Sequence, residues 1–238
     1  MAFSGGLTMP DFAFAPAPTA SVPIVGTATL FPVHRIYCVG RNFAEHAREM
    51  GAEPSRGSPV FFMKPADAVH IEGDVPYPGM TADLHHEVEL VVALGRDCTG
   101  VIDAADALAI VFGYGVGLDL TRRDLQALAK DKRLPWDTAK GFDCSAPLSA
   151  IVPVAQSGHD FSRRLWLEVN GTLRQQAPLS DMIFSVADII HELSRLFALK
   201  AGDLIFMGTP AGVAALQRGD SFHAGVEGLV EFSGRIAS

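Results

Sequence analysis

Strand-length apolar segments outnumber helical ones along this chain, and the two kinds do not alternate. That order limits the possible folds more than any other feature. A Rossmann fold or a TIM barrel needs strand and helix in regular succession, so the chain is expected to form a mixed α/β, mainly β architecture. Arg35-Ile-Tyr-Cys-Val39 has the composition of a buried strand, turned by Gly40-Arg-Asn42. Phe61-Phe-Met63 is strand-like and stops at Lys64-Pro65, and His86 to Leu94 alternates before turning apolar. Val111 to Leu120 is apolar and glycine-spaced, which predicts close backbone approach or bulges. Leu165–Val169 and Thr172–Gln176 flank Asn170-Gly171, and both turn residues tolerate the positive φ of a type I′ hairpin. Further strands are expected at Leu204–Met207 and Leu229–Phe232.

Helices are few. Phe43 to Met50 can form a short one, before a loop with Gly51, Pro54, Gly57 and Pro59. Asp103 to Ile110 reads as helical, and Thr121-Arg-Arg-Asp124 resembles an acidic capping box opening a helix to about Lys130. The best helical pattern runs from Ser185, a plausible N-cap, to Leu199, with Val186, Ile189, Ile190, Leu193, Leu196 and Phe197 as its apolar stripe. At the start, Pro10, Pro16, Pro18 and Pro23 oppose regular structure. The chain therefore divides into an extended N-terminal arm, 1–30, and a single body, 31–238. The arm either packs on the body or a partner subunit, or hangs loose.

The 238 residues are 48% hydrophobic, enough for one domain with a substantial core. A formal charge of -8 with no Lys/Arg run argues against nucleic acid or an anionic membrane as partner. No apolar stretch is long enough to span a bilayer, and Met1 to Thr19 lack the charged start of a secretory signal. Cys38, Cys98 and Cys144 are scattered, as expected of reduced thiols in a cytoplasmic protein.

Glu87-Val-Glu89 is the most informative local feature. On a strand, residues two apart face the same way, so two carboxylates would project together beside the apolar Leu90 to Leu94. Desolvating like charges is costly unless a cation neutralises them. Asp119 offers a third carboxylate at the end of another apolar strand. Three carboxylates and no Cys suit a hard ion such as Mg²⁺ or Mn²⁺. Taken alone, a Glu-x-Glu more often lines a solvated face. His46 and Glu49 stand at i and i+3, where the carboxylate could orient the imidazole as a general base; alone, this is more often an exposed helix pair. Thr209, in Gly208-Thr-Pro-Ala-Gly212, could present a hydroxyl and backbone N–H groups to an anion, or simply turn the chain.

Together these segments resemble the fumarylacetoacetate hydrolase family. The residues that carry the likeness are Tyr37-Cys-Val-Gly-Arg-Asn42, His46-Ala-Arg-Glu49, Phe62-Met-Lys-Pro65, His85-His-Glu-Val-Glu-Leu90 and Gly113 to Thr121. Arg123-Asp-Leu-Gln126, Pro135 to Phe142, Val169-Asn-Gly171 and Met207 to Val213 follow in order. The resemblance implies a C-terminal-like β-roll fold, a homodimer and a small 2-oxo acid substrate. It implies Mg²⁺ or Mn²⁺ on Glu87, Glu89 and Asp119, and His46 with Glu49 as a catalytic dyad on a lid that orders over substrate. Lys140 would sit near the reacting carbonyl. Arg123, Gln126 and Thr209, with Arg41 and Lys64, would bind substrate oxygens. The expected reaction is hydrolysis of an acylpyruvate, fumarylpyruvate giving fumarate and pyruvate. The alternatives are an oxaloacetate decarboxylase or 2-oxo-acid hydratase or isomerase of the same fold and, from another class, a metal-stabilised binding module without turnover.

Overall fold

The computed structural model describes residues 12–49 and 57–238. A six-stranded sheet forms the centre, in the order Val152–Pro153, Val111–Leu118, Val88–Leu94, Asp203–Phe206, Arg35–Gly40 and Val60–Lys64. Its pairs are antiparallel except Asp203–Phe206 with Arg35–Gly40. Alternate residues of one strand feed separate cores. Val88, Leu90, Val92 and Leu94 face the larger, beneath the helix Val186–Ser194; Val91 and Ala93 face the smaller. A four-stranded antiparallel sheet, Thr172–Pro178, Arg164–Val169, Ser221–Val226 and Val230–Arg235, closes the larger core. A three-stranded sheet of Ala214–Leu216, Leu84–His86 and Thr121–Arg122 continues beyond it. The fold is mainly β, as the residue pattern predicts.

The glycine-spaced strand works as expected. Gly113, Gly115 and Gly117 point toward the smaller core, where the chain from Ala146 to Pro153 passes close over the sheet. A Cβ on Gly117 would meet the Phe206 ring at 2.7 Å, and one on Gly113 would meet Val152 O at 2.3 Å. The hairpin forms at Asn170-Gly171, with φ of 52° and 71°.

Three elements differ from expectation. Asp103 to Ile110 yields only a 3-10 turn, Ala107–Ile110. The helix after Ser185 carries the capping box with Asp188 but ends at Ser194, so Leu196 is exposed instead of completing the stripe. The helix Arg123–Asp131 has no capping box, because Thr121 belongs to a strand and Asp124 is drawn away to Thr81 Oγ1 and Ala82 N. The N-terminal segment is extended, but its later part packs on the body. Ser21–Pro23 pairs with Leu30–Pro32, Val22 and Phe31 enter the smaller core, and Pro23 O and Val25 N bond Ile151. Among the described residues no helix is long and apolar enough to cross a membrane.

Candidate active site and metal centre

The site arises where two neighbouring strands change sheets together. Leu84–His86 lies in the three-stranded sheet and Val88–Leu94 in the central one, with Glu87 as the joint. Beside it, Val111–Leu118 gives way to Thr121–Arg122 across Asp119 and Leu120. Glu89 pairs with Gly117 and His85 with Thr121, and the Asp119 N–H donates to Glu87 O at 2.8 Å. Glu87, Glu89 and Asp119 are thus delivered to one point, each with a carboxylate oxygen within 4.8 Å of the others. All three are buried.

Cations surround this cluster. Lys140 Nζ lies between Glu87 Oε2, at 2.8 Å, and Asp119 Oδ2, at 2.6 Å. Arg123 Nη2 reaches Glu87 Oε1 at 2.5 Å. Burial alone would raise the Glu87 pKa, yet Lys140 and Arg123 outweigh it and hold the carboxyl far below the usual range. Burial likewise disfavours the Lys140 ammonium, but Asp119 and Glu87 overcome that and keep it protonated. Glu89 lacks such support. Burial first, then Asp119 and Glu87, push its pKa well up; Lys140 and one backbone donor, Gly208 N at 2.7 Å, oppose them. That donor depends on glycine: Gly208 has φ 92°, and a Cβ there would meet Val39 O at 3.0 Å and Asn42 Cβ at 2.8 Å.

These donors fit a hard divalent cation. Asp119 Oδ1 is buried and poorly aligned with Lys64 Nζ, 2.8 Å away, and has no hydrogen bond among the described residues. Together with Glu89, which no cation among the described residues touches, it gives an all-oxygen ligand set with an acceptor that the protein leaves unused.

A cleft of about 440 Å³, including its open mouth, lies against the triad. Of the residues singled out from sequence, Arg41, His46, Glu87, Glu89, Asp119, Arg123, Gln126, Lys140 and Thr209 line it. Two do not. Glu49 sits behind His46, its Oε2 3.3 Å from Nδ1, and its carboxylate also accepts from Gly212 N. Lys64, expected to bind substrate, is buried beneath the floor. Its ammonium donates to Leu120 O and Lys140 O, so it supports the site from below and is not a substrate contact.

His46 stands on the helix Ala44–Glu49. Burial lowers its pKa below the ordinary 6.5, against the pull of Glu87 and Glu49, so the ring is neutral at neutral pH and can take up a proton. The loop after Glu49, expected to complete a lid, falls at 50–56, outside the described residues. Sequence reasoning passed over Lys130 as part of the wall, and Phe62 and Trp136 entered the family likeness only within its segments. It also missed Gln175, a buried side chain hydrogen-bonded to Thr209. The only available signal was a polar residue at a strand position, too weak to separate it from its neighbour Gln176.

A buried carboxylate triad with a neutral imidazole in the same cleft defines a divalent-cation centre of enzymatic type. The chain belongs to the fumarylacetoacetate hydrolase family, whose C-terminal domain matches residues 35–237, and it is an enzyme of that family. Bovine mitochondrial oxaloacetate tautomerase FAHD1 is 45% identical over 203 residues, 84% of this chain and 90% of its own length. The crystal structure of fumarylpyruvate hydrolase from Pseudomonas aeruginosa, in complex with Mn²⁺ and pyruvate, superposes with a TM-score of 0.93 at 44% identity. It covers 95% of this chain and 99% of its own. A putative fumarylpyruvate hydrolase from Burkholderia cenocepacia gives 0.90 at 51% identity, over 96% and 99%.

Proposed function

We propose that this chain is a divalent-metal-dependent enzyme acting on oxaloacetate, interconverting its keto and enol forms. The observation that carries this reading is the placement of neutral His46, backed by Glu49, in one cleft with Glu87, Glu89 and Asp119. The bovine tautomerase, similar along nine-tenths of its length, supports oxaloacetate over the acylpyruvate expected first from sequence.

The chemistry follows from the groups present. Mg²⁺ or Mn²⁺ held by the triad would supply Lewis acidity to a chelating 2-oxo acid. His46 takes a proton from C3 of the substrate; the C–H pair becomes the C2–C3 double bond, and the carbonyl pair moves to the 2-oxo oxygen. The imidazolium then returns its proton to that oxygen, giving the enol. Glu49 orients the ring and favours its charged form between these transfers. Lys140, fixed by Glu87 and Asp119, sets a positive potential beside the enolate as its charge develops. Gln126 accepts from Arg123 through Oε1, which leaves its amide N–H groups available to a substrate carboxylate.

A second reading, hydrolysis of fumarylpyruvate, is supported by the likeness to the Pseudomonas aeruginosa enzyme, which superposes over 95% of this chain. There His46 would activate water for attack at C4, and pyruvate would leave as the same kind of enolate. The homodimer and the division of the chain at residue 30 also belong to this proposal. So does the cytoplasmic location, although the bovine relative is mitochondrial. The test follows ultraviolet loss of enol-oxaloacetate and of an acylpyruvate, with Mg²⁺ and after chelation. Metal-dependent ketonisation without acylpyruvate cleavage is the expected result. Cleavage without ketonisation would favour the hydrolase, and full activity after exhaustive chelation would end both readings.

A further inference from the structure

Gln175 is the one fully buried polar side chain of the strand Thr172–Pro178, and all of its polar contacts lead toward the site. Its Oε1 accepts from Val88 N at 3.1 Å and meets His86 Nδ1 at 2.9 Å. Its Nε2 donates to Pro210 O and to Thr209 Oγ1, both at 2.8 Å. An amide side chain can be built either way round, but two backbone groups remove the choice here. Val88 N–H can only donate, so the atom facing it is the oxygen; Pro210 C=O can only accept, so the atom facing it is the nitrogen. Two consequences follow. His86 must carry a proton on Nδ1, since Oε1 has none to give. Thr209 Oγ1 must accept, so its own proton cannot point back at Gln175.

Thr209 lines the cleft, and its hydroxyl has no other partner among the described residues. We propose that Gln175 is a positioning residue: it sets the polarity of the Thr209 hydroxyl so that the O–H is presented to the cleft as a donor for a substrate carboxylate or 2-oxo oxygen. A hydroxyl free to rotate would serve as donor only part of the time, whereas one locked as an acceptor on its inner side is preorganised. The inference rests on the proposed function only in placing an oxyanion in this cleft.

The test is a double-mutant cycle on Gln175 and Thr209, read by calorimetric binding of oxalate in the presence of Mg²⁺. Thr209→Val should weaken oxalate about 10-fold, the loss of one hydrogen bond to a charged group. Gln175→Met, which keeps the shape and removes the polarity, should cost a smaller factor in the Thr209 background, about 3-fold for a hydroxyl released among three staggered positions, and little more in the Thr209→Val background. Gln175→Met in a Thr209→Ser protein should behave as it does in the wild type, because serine retains the hydroxyl. Should Gln175→Met not fold, Gln175→Leu takes its place in the same cycle; in either case unchanged oxalate affinity in Thr209→Val overturns the proposal. Losses that multiply in the double variant overturn it as well, since a purely structural Gln175 would act whether or not the hydroxyl is present. Oxaloacetate turnover by the unmodified enzyme reports separately on the function, so a failure of that reading is distinguishable from a failure of this one.

Discussion

Glu89 is the carboxylate least compensated by its surroundings, and Glu89→Gln should therefore make the metal-free protein more stable while removing its response to metal. Two carboxylates 4.8 Å apart repel by about 3.5 kcal/mol at an effective dielectric of about 20. Glu89 faces two such neighbours, against one backbone donor and a share of Lys140. Proton uptake caps the cost. Keeping a carboxyl of ordinary pKa 4.5 protonated at pH 7 costs about 3 kcal/mol. A neutral amide still accepts from Gly208 N and escapes the repulsion, so the gain is about 1–3 kcal/mol. For a chain of this size that is a rise in Tm of about 3–10 °C. The assay is thermal unfolding by circular dichroism, in chelator and at saturating Mg²⁺ or Mn²⁺. The wild type should gain about 2.7 kcal/mol when the ion is at about a hundred times its Kd. The variant should gain little or nothing and should lose activity. An unchanged or lower Tm in chelator, together with a retained metal shift, would refute the reasoning, because the triad would then be neither repulsive when empty nor the place where the ion binds.

His46→Ala should keep the metal-induced Tm shift and lose about 10²–10⁴-fold in kcat, since the imidazole lines the cleft outside the triad; a loss of metal response instead would place it among the ligands. His46, His85 and His86 all have pKa values lowered below 6.5, chiefly by burial, so between that value and their folded values the unfolded chain binds more protons. Stability should be fully present above about pH 6.5 and fall as pH drops below it, which urea titrations across pH 5–7.5 would measure; a flat profile would contradict the burial of these rings. Gly117→Ala should cost about 1–3 kcal/mol, because the new methyl would lie 2.7 Å from the Phe206 ring across the smaller core, and a chevron or urea midpoint within error of wild type would show that the ring yields freely.

Much of the site was legible because its chemistry is written in local spacing. Glu87 and Glu89 share a face for the reason any i, i+2 pair on a strand does, and His46 and Glu49 meet because they are a helical turn apart. What placed Asp119 beside them was the pairing of two strands that leave the central sheet at the same level, a long-range event that no window of sequence contains. Lys64 shows the opposite limit. A lone lysine before a proline looks like a surface or substrate-binding cation, and only the packed structure shows it turned inward onto two carbonyls. The helix after Ser185 was overrun because apolar residues continue to Phe197, although the chain leaves the helix at Ser194. Periodicity records which residues are apolar, and exposed Leu196 is apolar without being core.

The charge arrangement bears on which 2-oxo acids suit this cleft. The triad brings three negative charges, and Lys64, Lys140 and Arg123 bring three positive charges into direct contact with it. Protein groups alone therefore leave the floor of the cleft near neutral once Glu89 is ionised. A divalent cation on the triad would tip that balance to an excess of two positive charges, held in a buried setting where screening is weak. Arg41 and Lys130, which also line the cleft, add to the same sign at its mouth. A chain of net charge -8 would otherwise repel an anionic substrate, so the attraction has to be local. The substrate that restores neutrality is a dianion. A 2-oxo dicarboxylate, the substrate class proposed above, meets that requirement whether it is enolised, decarboxylated or cleaved.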